Sequence, residues 1–301
     1  SARADPLITL ANASTWNDFT NYYAVVPANH LQRVLWGEAE RMGSLVVDEL
    51  NFRSERDVVK EELRQSVLSN PYGKLFAFYL SQANFDVHPY GRPGIGSIAD
   101  LDAATLDDVR AFHAAYYRPD NAVLVVSGNF DPAQLNAWVD QYFAPIPTPR
   151  RPIPRVSVVE PARTAAKDLT VYEPNVPLPA ILVSWPAPDA RSGDLAAWRM
   201  LDAVLTNGQS SRLYRSLIYD QKLAADVGST FEITAQPGVY GLYAILSDGR
   251  TAEEGLAALN EEIARVRDTL VSEAELEEAR NELVAGALQQ RETADGRAGE
   301  L

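Results

Sequence analysis

Residues 52–64 of the chain read FRSERDVVKEELR, a run whose spacing is typical of an α-helix. On a helix, Glu55 and Glu62 are seven residues apart and therefore lie two turns apart on one face. Val58 and Val59, at the intervening steps, make that face apolar. A carboxylate on a packed apolar face is costly unless a cation or a hydrogen-bond donor pairs with it. The pattern therefore predicts either a solvated helix or two carboxylates that serve a metal ion or a neighbouring ring N–H.

The composition limits the class of protein and the kind of partner. Of the 301 residues, 46% are hydrophobic and 23% are charged, and the formal net charge is -14. This charge argues against nucleic acid and anionic membrane surfaces as partners, and no apolar run has the length of a membrane span. Cysteine is absent, so any metal site must use His, Asp or Glu. The absence of cysteine suits a bacterial periplasm or cytoplasm, and we predict the periplasm.

A proline-rich stretch predicts the domain organisation. Residues 145–154 contain five prolines, which indicates a stiff, extended connector. We predict two domains, residues 1–150 and 169–301, joined by a linker over residues 151–168. The predicted fold class is α+β: two homologous repeats, each a mainly antiparallel β-sheet with helices packed on one face.

Periodicity and turn residues predict the individual elements. A β-hairpin is expected over residues 7–26, and the apolar run at 121–127 is expected to form a buried strand. Further strands are predicted at 169–173, 180–185, 226–234 and 241–246, and helices at 30–42, 105–117, 131–143, 195–205, 253–270 and 273–290.

Several motifs occur along the chain in the order found in one peptidase family. They are Asn-Ala-Ser-Thr at 12–15, the glutamate helix at 55–62, His-Pro-Tyr-Gly at 88–91, and Tyr-Tyr-Arg-Pro-Asp-Asn-Ala at 116–122. In this order they resemble the pitrilysin and insulinase (M16-type) family of zinc peptidases, the inverzincins, which includes the mitochondrial processing peptidase. A second-repeat signature at 208–213 extends the resemblance over nearly the whole chain. It implies the fold of that family and zinc-dependent endoproteolysis of peptides or unfolded segments.

The resemblance assigns roles to four residues of this chain. Glu62 matches the glutamate ligand of Zn²⁺, and Glu55 matches the acidic residue that orients a ligand histidine. Asn12 and Ala13 match the edge strand that takes substrate by adding it as a further β-strand.

The family's His-x-x-Glu-His motif is not in this sequence. In the family its histidines bind zinc and its glutamate is the general base. His30, His88 and His113 neither begin nor end such a motif, and we predict packing or surface roles for them. We therefore predict no catalytic residue within this chain. We expect the chain to be a fragment, cut at both ends, with the motif upstream; the alternative is a relative that has lost the motif.

A second departure concerns hydrogen-bond donors for the substrate. Active members use an Arg and a Tyr, seven residues apart, to stabilise the developing oxyanion from the half opposite the zinc. The matching positions here are Ile218 and Ala225, whose side chains cannot donate. We therefore expect a homologous subunit or half to supply the pair, as in a heterodimer. The rival interpretations are a non-catalytic scaffold subunit and an acidic binding module without chemistry.

Overall fold

A computed structural model describes residues 10–301 as an α+β protein with two antiparallel sheets, which confirms the predicted fold class. By its internal contacts the chain forms two compact units. The described part of the first unit runs to Leu63 and includes Gly94–Ser157 and Gln290–Leu301. The second unit consists of Arg64–Pro93 and Val158–Gln289. None of the helices in residues 10–301 is long and apolar enough to cross a membrane.

The described chain contains five strands and ten α-helices, with short 3-10 and π-helical segments between them. In order they are β1 (Leu10–Thr15), β2 (Thr20–Val25), α1 (Leu31–Gly43), α2 (Glu49–Glu62), α3 (Leu80–Asn84), α4 (Ile98–Ala103), α5 (Leu106–Tyr116), α6 (Pro132–Phe143), β3 (Ala180–Pro186), α7 (Leu195–Thr206), β4 (Ala224–Phe231), β5 (Val239–Leu246), α8 (Ala252–Asp268), α9 (Glu273–Gln290) and α10 (Ala294–Glu300).

The first unit carries the predicted hairpin. β1 and β2 pair antiparallel from Leu10 opposite Val25 to Thr15 opposite Thr20, and residues 7–9 of the prediction lie outside the described residues. The helix α5 begins at a side-chain cap. The Thr105 hydroxyl and the Asp108 carboxylate form a reciprocal capping box at the start of α5.

Two predicted strands are wrong. The run at 121–127 belongs to neither sheet of the described residues, and Val123 is 90% exposed. The segment 169–173 is also not a strand, and Leu169 is 61% exposed. A β-branched, apolar run predicts a strand, but strand formation needs a neighbour for its backbone N–H and C=O groups. In the described chain, neither segment has such a neighbour.

The core of the second unit forms around β5, the central strand of a three-stranded sheet with order β3-β5-β4. Tyr240, Leu242, Ala244 and Leu246 of β5 are all at most 2% exposed. The helix α8 packs closely here, because a side chain at Gly255 would meet the Leu246 side chain at 2.6 Å. Each fully buried leucine contributes roughly 1.5–3 kcal/mol. This core also contains Ile181, Leu213, Leu217, Leu223 and Leu259.

Charged side chains hold the extended segment from Glu160 to Glu173 in the second unit. Glu160 accepts hydrogen bonds from the backbone N–H groups of residues 86–88 at 2.7, 3.0 and 2.8 Å. Lys167 pairs with Asp86 at 2.5 Å, and Lys74 pairs with Glu173 at 2.8 Å. This segment overlaps the predicted linker, and the division between units at Ser157 and Val158 also falls there. The contacts assign Arg64–Pro93 to the second unit, so the two units are not continuous in sequence. The predicted domains 1–150 and 169–301 stay a prediction.

The start of α9 is fixed by an ion pair and by the predicted capping box. Arg212 donates to both carboxylate oxygens of Glu275, at 2.7 and 3.1 Å. Ser272 and Glu275 cap the helix reciprocally, at 3.0 and 3.3 Å. The Arg212 guanidinium, opposed by burial and assisted by the Ser272 hydrogen bonds, lowers the pKa of Glu275 from 4.5 to about 2.

This depressed pKa predicts a pH-dependent loss of stability. Since the carboxylate is favoured in the folded state, its contribution is complete above the unfolded value of 4.5 and is lost as the pH falls towards about 2. Glu275→Gln should lower the free energy of unfolding at pH 7 by about 1–2 kcal/mol, discounted because the side chain is 36% exposed. Urea unfolding from pH 7 to pH 3 measures the difference. Glu278→Gln, an exposed position on the same helix, is the control; equal losses in both variants would contradict the prediction.

Candidate functional site

The helix α2 presents the two glutamates that the sequence singles out. Asp48 caps it by accepting a hydrogen bond from the Asn51 backbone N–H at 2.8 Å. Glu55 and Glu62 lie two turns apart on α2, as predicted, and both side chains are exposed. Their predicted roles as metal ligand and orienting residue stay predictions.

The surroundings of these glutamates differ from the packed face that the valines predict. Val58 is 57% exposed, and no residue of α2 is buried in the described structure. The apolar contact comes just after the helix, where Leu63 is 1% exposed. Glu55 and Glu62 are therefore exposed at the surface of the described chain and do not lie on a packed apolar face.

One ion pair joins α2 to another helix of the first unit. The Lys60 ammonium pairs with Asp102 of α4, and the Lys60 side chain is only 12% exposed. Within α2 itself, the Arg56 guanidinium lies over the Phe52 ring at 5.4 Å from its centroid.

A π-helical segment, Leu63–Leu68, begins directly after Glu62. π-Helical turns are rare and occur frequently at functional sites, because the wider turn redirects side chains and leaves backbone groups available. Two further π-helical segments are Leu75–Tyr79 and Tyr214–Asp220, and the latter contains Ile218. The sequence pattern contains no recognisable signal for any of the three segments, so sequence reasoning missed them all.

The candidate substrate strand is β1, also in the first unit. Asn12 lies opposite Tyr23 and Ala13 lies opposite Tyr22 in the hairpin register, and both are exposed. The Asn12 side chain accepts a hydrogen bond from the Ala13 backbone N–H at 2.8 Å. In residues 10–301 the sheet ends at β1, so one edge of this strand has no neighbouring strand there. An extended peptide could pair with such an edge.

The three histidines make packing contacts. The His88 ring is buried and lies 4.1 Å from the Tyr90 ring, and its Nδ1 accepts from the Tyr90 backbone N–H at 3.2 Å. The His113 Nε2 lies 3.1 Å from the Arg41 carbonyl oxygen. His30 Nε2 lies 3.3 Å from the side-chain amide of Asn29, its sequence neighbour.

The described residues do not complete a metal site. No three His, Cys, Asp or Glu side chains in residues 10–301 come together in a group that could hold a metal ion. A protein zinc site requires at least three ligands, and Glu62 could supply one. The donor set of this part of the chain therefore does not fit zinc by itself.

The second unit lacks the expected donor pair. Ile218 packs against the apolar core around β5. Ala225 is exposed at an irregularity of β4, between Ala224 and Asp226. Both positions are thus occupied by apolar side chains, one in packing and one at a strand bulge.

Comparison with known proteins identifies the family. A family model described as the Peptidase M16 inactive domain matches residues 103–283. The zinc protease PqqE of Helicobacter pylori is 31% identical over 221 residues, which cover 73% of this chain and 50% of that protein. The beta subunit of the mitochondrial-processing peptidase of Saccharomyces cerevisiae is 24% identical over 289 residues, covering 92% of this chain and 62% of that protein.

A solved structure also matches the fold. The crystal structure of a protease from Helicobacter pylori is similar with a TM-score of 0.92 and 27% sequence identity, over 96% of this chain and 70% of that chain. This chain spans about half to three fifths of the length of the two relatives. Because the family model covers more than half of the sequence, this chain belongs to the M16 peptidase family.

Proposed function

We propose that this chain is the zinc-side part of a zinc-dependent metalloendopeptidase that cleaves peptides or unfolded segments. The observation that carries the proposal is the pair of exposed carboxylates, Glu55 and Glu62, on one face of α2 in an M16 chain. A similar protein, PqqE, is named a zinc protease.

In the proposed site, Glu62 would supply one carboxylate ligand to Zn²⁺, and two histidines would supply the others. Carboxylate oxygens bind zinc at about 2.0–2.2 Å, and a catalytic zinc keeps one position open. Glu55, two turns earlier, accepts the ring N–H of a ligand histidine and so fixes its orientation. Exposure of both carboxylates supports these roles, since neither is committed to the apolar core.

The substrate is proposed to bind along β1. Along the stretch of β1 that contains Asn12 and Ala13, alternate residues turn their backbone N–H and C=O groups to the strand edge, and these groups recognise an extended chain of any sequence. The net charge of -14 favours neutral or basic peptides over acidic ones. We propose the bacterial periplasm as the compartment, with the cytoplasm as the alternative.

A homologous subunit or half is proposed to supply the Arg and Tyr donors. Ile218 and Ala225 cannot stabilise an oxyanion, so the zinc side needs donors from elsewhere. The yeast relative is named a subunit, which supports an assembly of more than one chain.

A scaffold role is the second candidate. The matching family model is described as an inactive domain, and the described residues hold no complete metal site. A scaffold chain would bind a partner without binding zinc, so metal affinity separates the two proposals.

The zinc assignment predicts a selective effect of substitutions on α2. The complete protein should bind one zinc tightly, and Glu62→Gln should lose most of that affinity because a ligand is gone. Glu55→Gln should lower zinc affinity less, by about 10- to 100-fold, because Glu55 acts on the metal through a ligand histidine. Calorimetry and mass spectrometry on the complete protein measure affinity and stoichiometry.

Glu61→Gln is the matched control, because it changes an exposed glutamate adjacent to Glu62 on another face of the helix. It should bind zinc like the unsubstituted protein. Tight binding retained in Glu62→Gln would refute the ligand assignment, and a complete protein without zinc affinity would favour the scaffold.

The missing donors predict dependence on a partner. The complete zinc-bearing chain, purified alone, should cleave an unstructured peptide poorly, because loss of one oxyanion donor costs about 10²- to 10³-fold in rate. Adding a homologous chain that keeps the Arg and Tyr should restore turnover. Full activity of the isolated chain, with no increase when the homologous chain is added, would contradict the proposal that another chain or half supplies the Arg and Tyr.

A further inference from the structure

A cluster of four side chains lies behind the candidate substrate strand. The phenol oxygens of Tyr22 and Tyr117 share a hydrogen bond at 2.6 Å, across 95 positions of sequence. Tyr22 belongs to β2 and Tyr117 follows the last turn of α5. The contact therefore joins the hairpin to a helix end inside the first unit.

Two further residues contact the rings that share this hydrogen bond. The Arg41 guanidinium, in the last turn of α1, lies 4.9 Å from the centroid of the Tyr22 ring, within range of a cation–π interaction. The His113 ring stacks on Tyr117 with centroids 4.8 Å apart and planes 14° apart. The His113 Nε2 also lies 3.1 Å from the Arg41 carbonyl oxygen. β2, α1 and α5 thus meet at one polar and aromatic cluster.

The Tyr22 hydroxyl of this cluster keeps its proton near neutral pH. Burial and the hydrogen bond with Tyr117 raise the pKa of the Tyr22 phenol. Glu38, which pairs with Arg41 at 3.3 Å, completes the charged rim of the cluster.

The register connects this cluster to the candidate substrate strand. Tyr22 lies directly opposite Ala13 in the hairpin. The hairpin has few apolar anchors, because none of its residues from 10 to 25 is fully buried. Its position against the helices therefore depends on specific contacts, and the Tyr22–Tyr117 hydrogen bond is a short one.

We infer that Tyr22 and Tyr117 are positioning residues: their hydrogen bond, with Arg41 against the Tyr22 ring and His113 against the Tyr117 ring, fixes the hairpin against α1 and α5 and so sets where β1 presents Asn12 and Ala13 to a peptide. This inference rests on the proposed function for its link to peptide binding. The pair itself touches no reacting atom.

The test compares Tyr22→Phe, Tyr117→Phe and the double variant in the complete, zinc-loaded protein. Each removes one hydroxyl and keeps the aromatic ring, so packing is conserved. Tyr23→Phe is the matched control, since it removes the same group one residue along on the opposite face of β2. Amide hydrogen exchange of residues 10–25 and KM and kcat for an unstructured peptide are measured for each.

We expect exchange in the hairpin to be faster in both single variants than in the control. KM should rise about 2- to 10-fold with kcat little changed, the range expected when one ordinary hydrogen bond is lost from a binding element. The double variant should be no worse than either single one, because both remove the same interaction. A merely structural contact would lower the unfolding temperature and leave KM unchanged.

If amide hydrogen exchange of residues 10–25 is no faster in Tyr22→Phe and Tyr117→Phe than in Tyr23→Phe, the inference is overturned, whatever the peptidase activity. Faster exchange with an unchanged KM would also overturn it, because the pair would then hold the hairpin without affecting peptide binding. If the unsubstituted protein shows no zinc-dependent cleavage, the proposed function fails, and the positioning of a substrate strand fails with it. The exchange data then still show whether the pair holds the hairpin.

Discussion

The second unit depends on the burial of β5, the central strand of its three-stranded sheet. Its alternate residues Tyr240, Leu242, Ala244 and Leu246 have almost no exposed surface, and α8 packs directly against Leu246. The described residues of this unit therefore contain a well-packed apolar core. In the first unit, by contrast, the only buried hydrophobic residues among those described are Leu35, Ala39 and Leu63. Polar and aromatic contacts carry more of its local structure.

This difference matters for function, because the candidate ligand and the candidate substrate strand both lie in the first unit. An exposed carboxylate such as Glu62 can bind a cation without first losing its hydration to a core, whereas a buried one would need a permanent partner. The Lys60–Asp102 pair orients α2, and the Tyr22–Tyr117 bond ties down the hairpin. In the second unit, Ile218 packs against the apolar core around β5.

Sequence reasoning located the parts of the fold that local chemistry decides. The caps at Thr105 and Ser272 act within four residues, so their side chains predict helix starts without knowledge of the rest of the chain. The strands expected at 121–127 and 169–173 did not form, because pairing depends on distant segments that the local pattern does not contain. The π-helical segment after Glu62 and the Tyr22–Tyr117 bond also lacked a local signal. In the candidate site, motif order placed Glu55 and Glu62 on one helix, but no group of three potential metal ligands comes together in residues 10–301, so a metal geometry could not be predicted from the sequence.

The central claim is that Glu62 binds zinc, and anomalous diffraction tests it most directly. A crystal of the complete protein, measured on both sides of the zinc absorption edge, locates the metal without assumptions about its ligands. We predict a single strong anomalous peak about 2.0–2.2 Å from a Glu62 carboxylate oxygen, with Glu55 hydrogen-bonded to a ligand histidine. A zinc peak remote from α2, or none in a zinc-saturated crystal, would contradict the account.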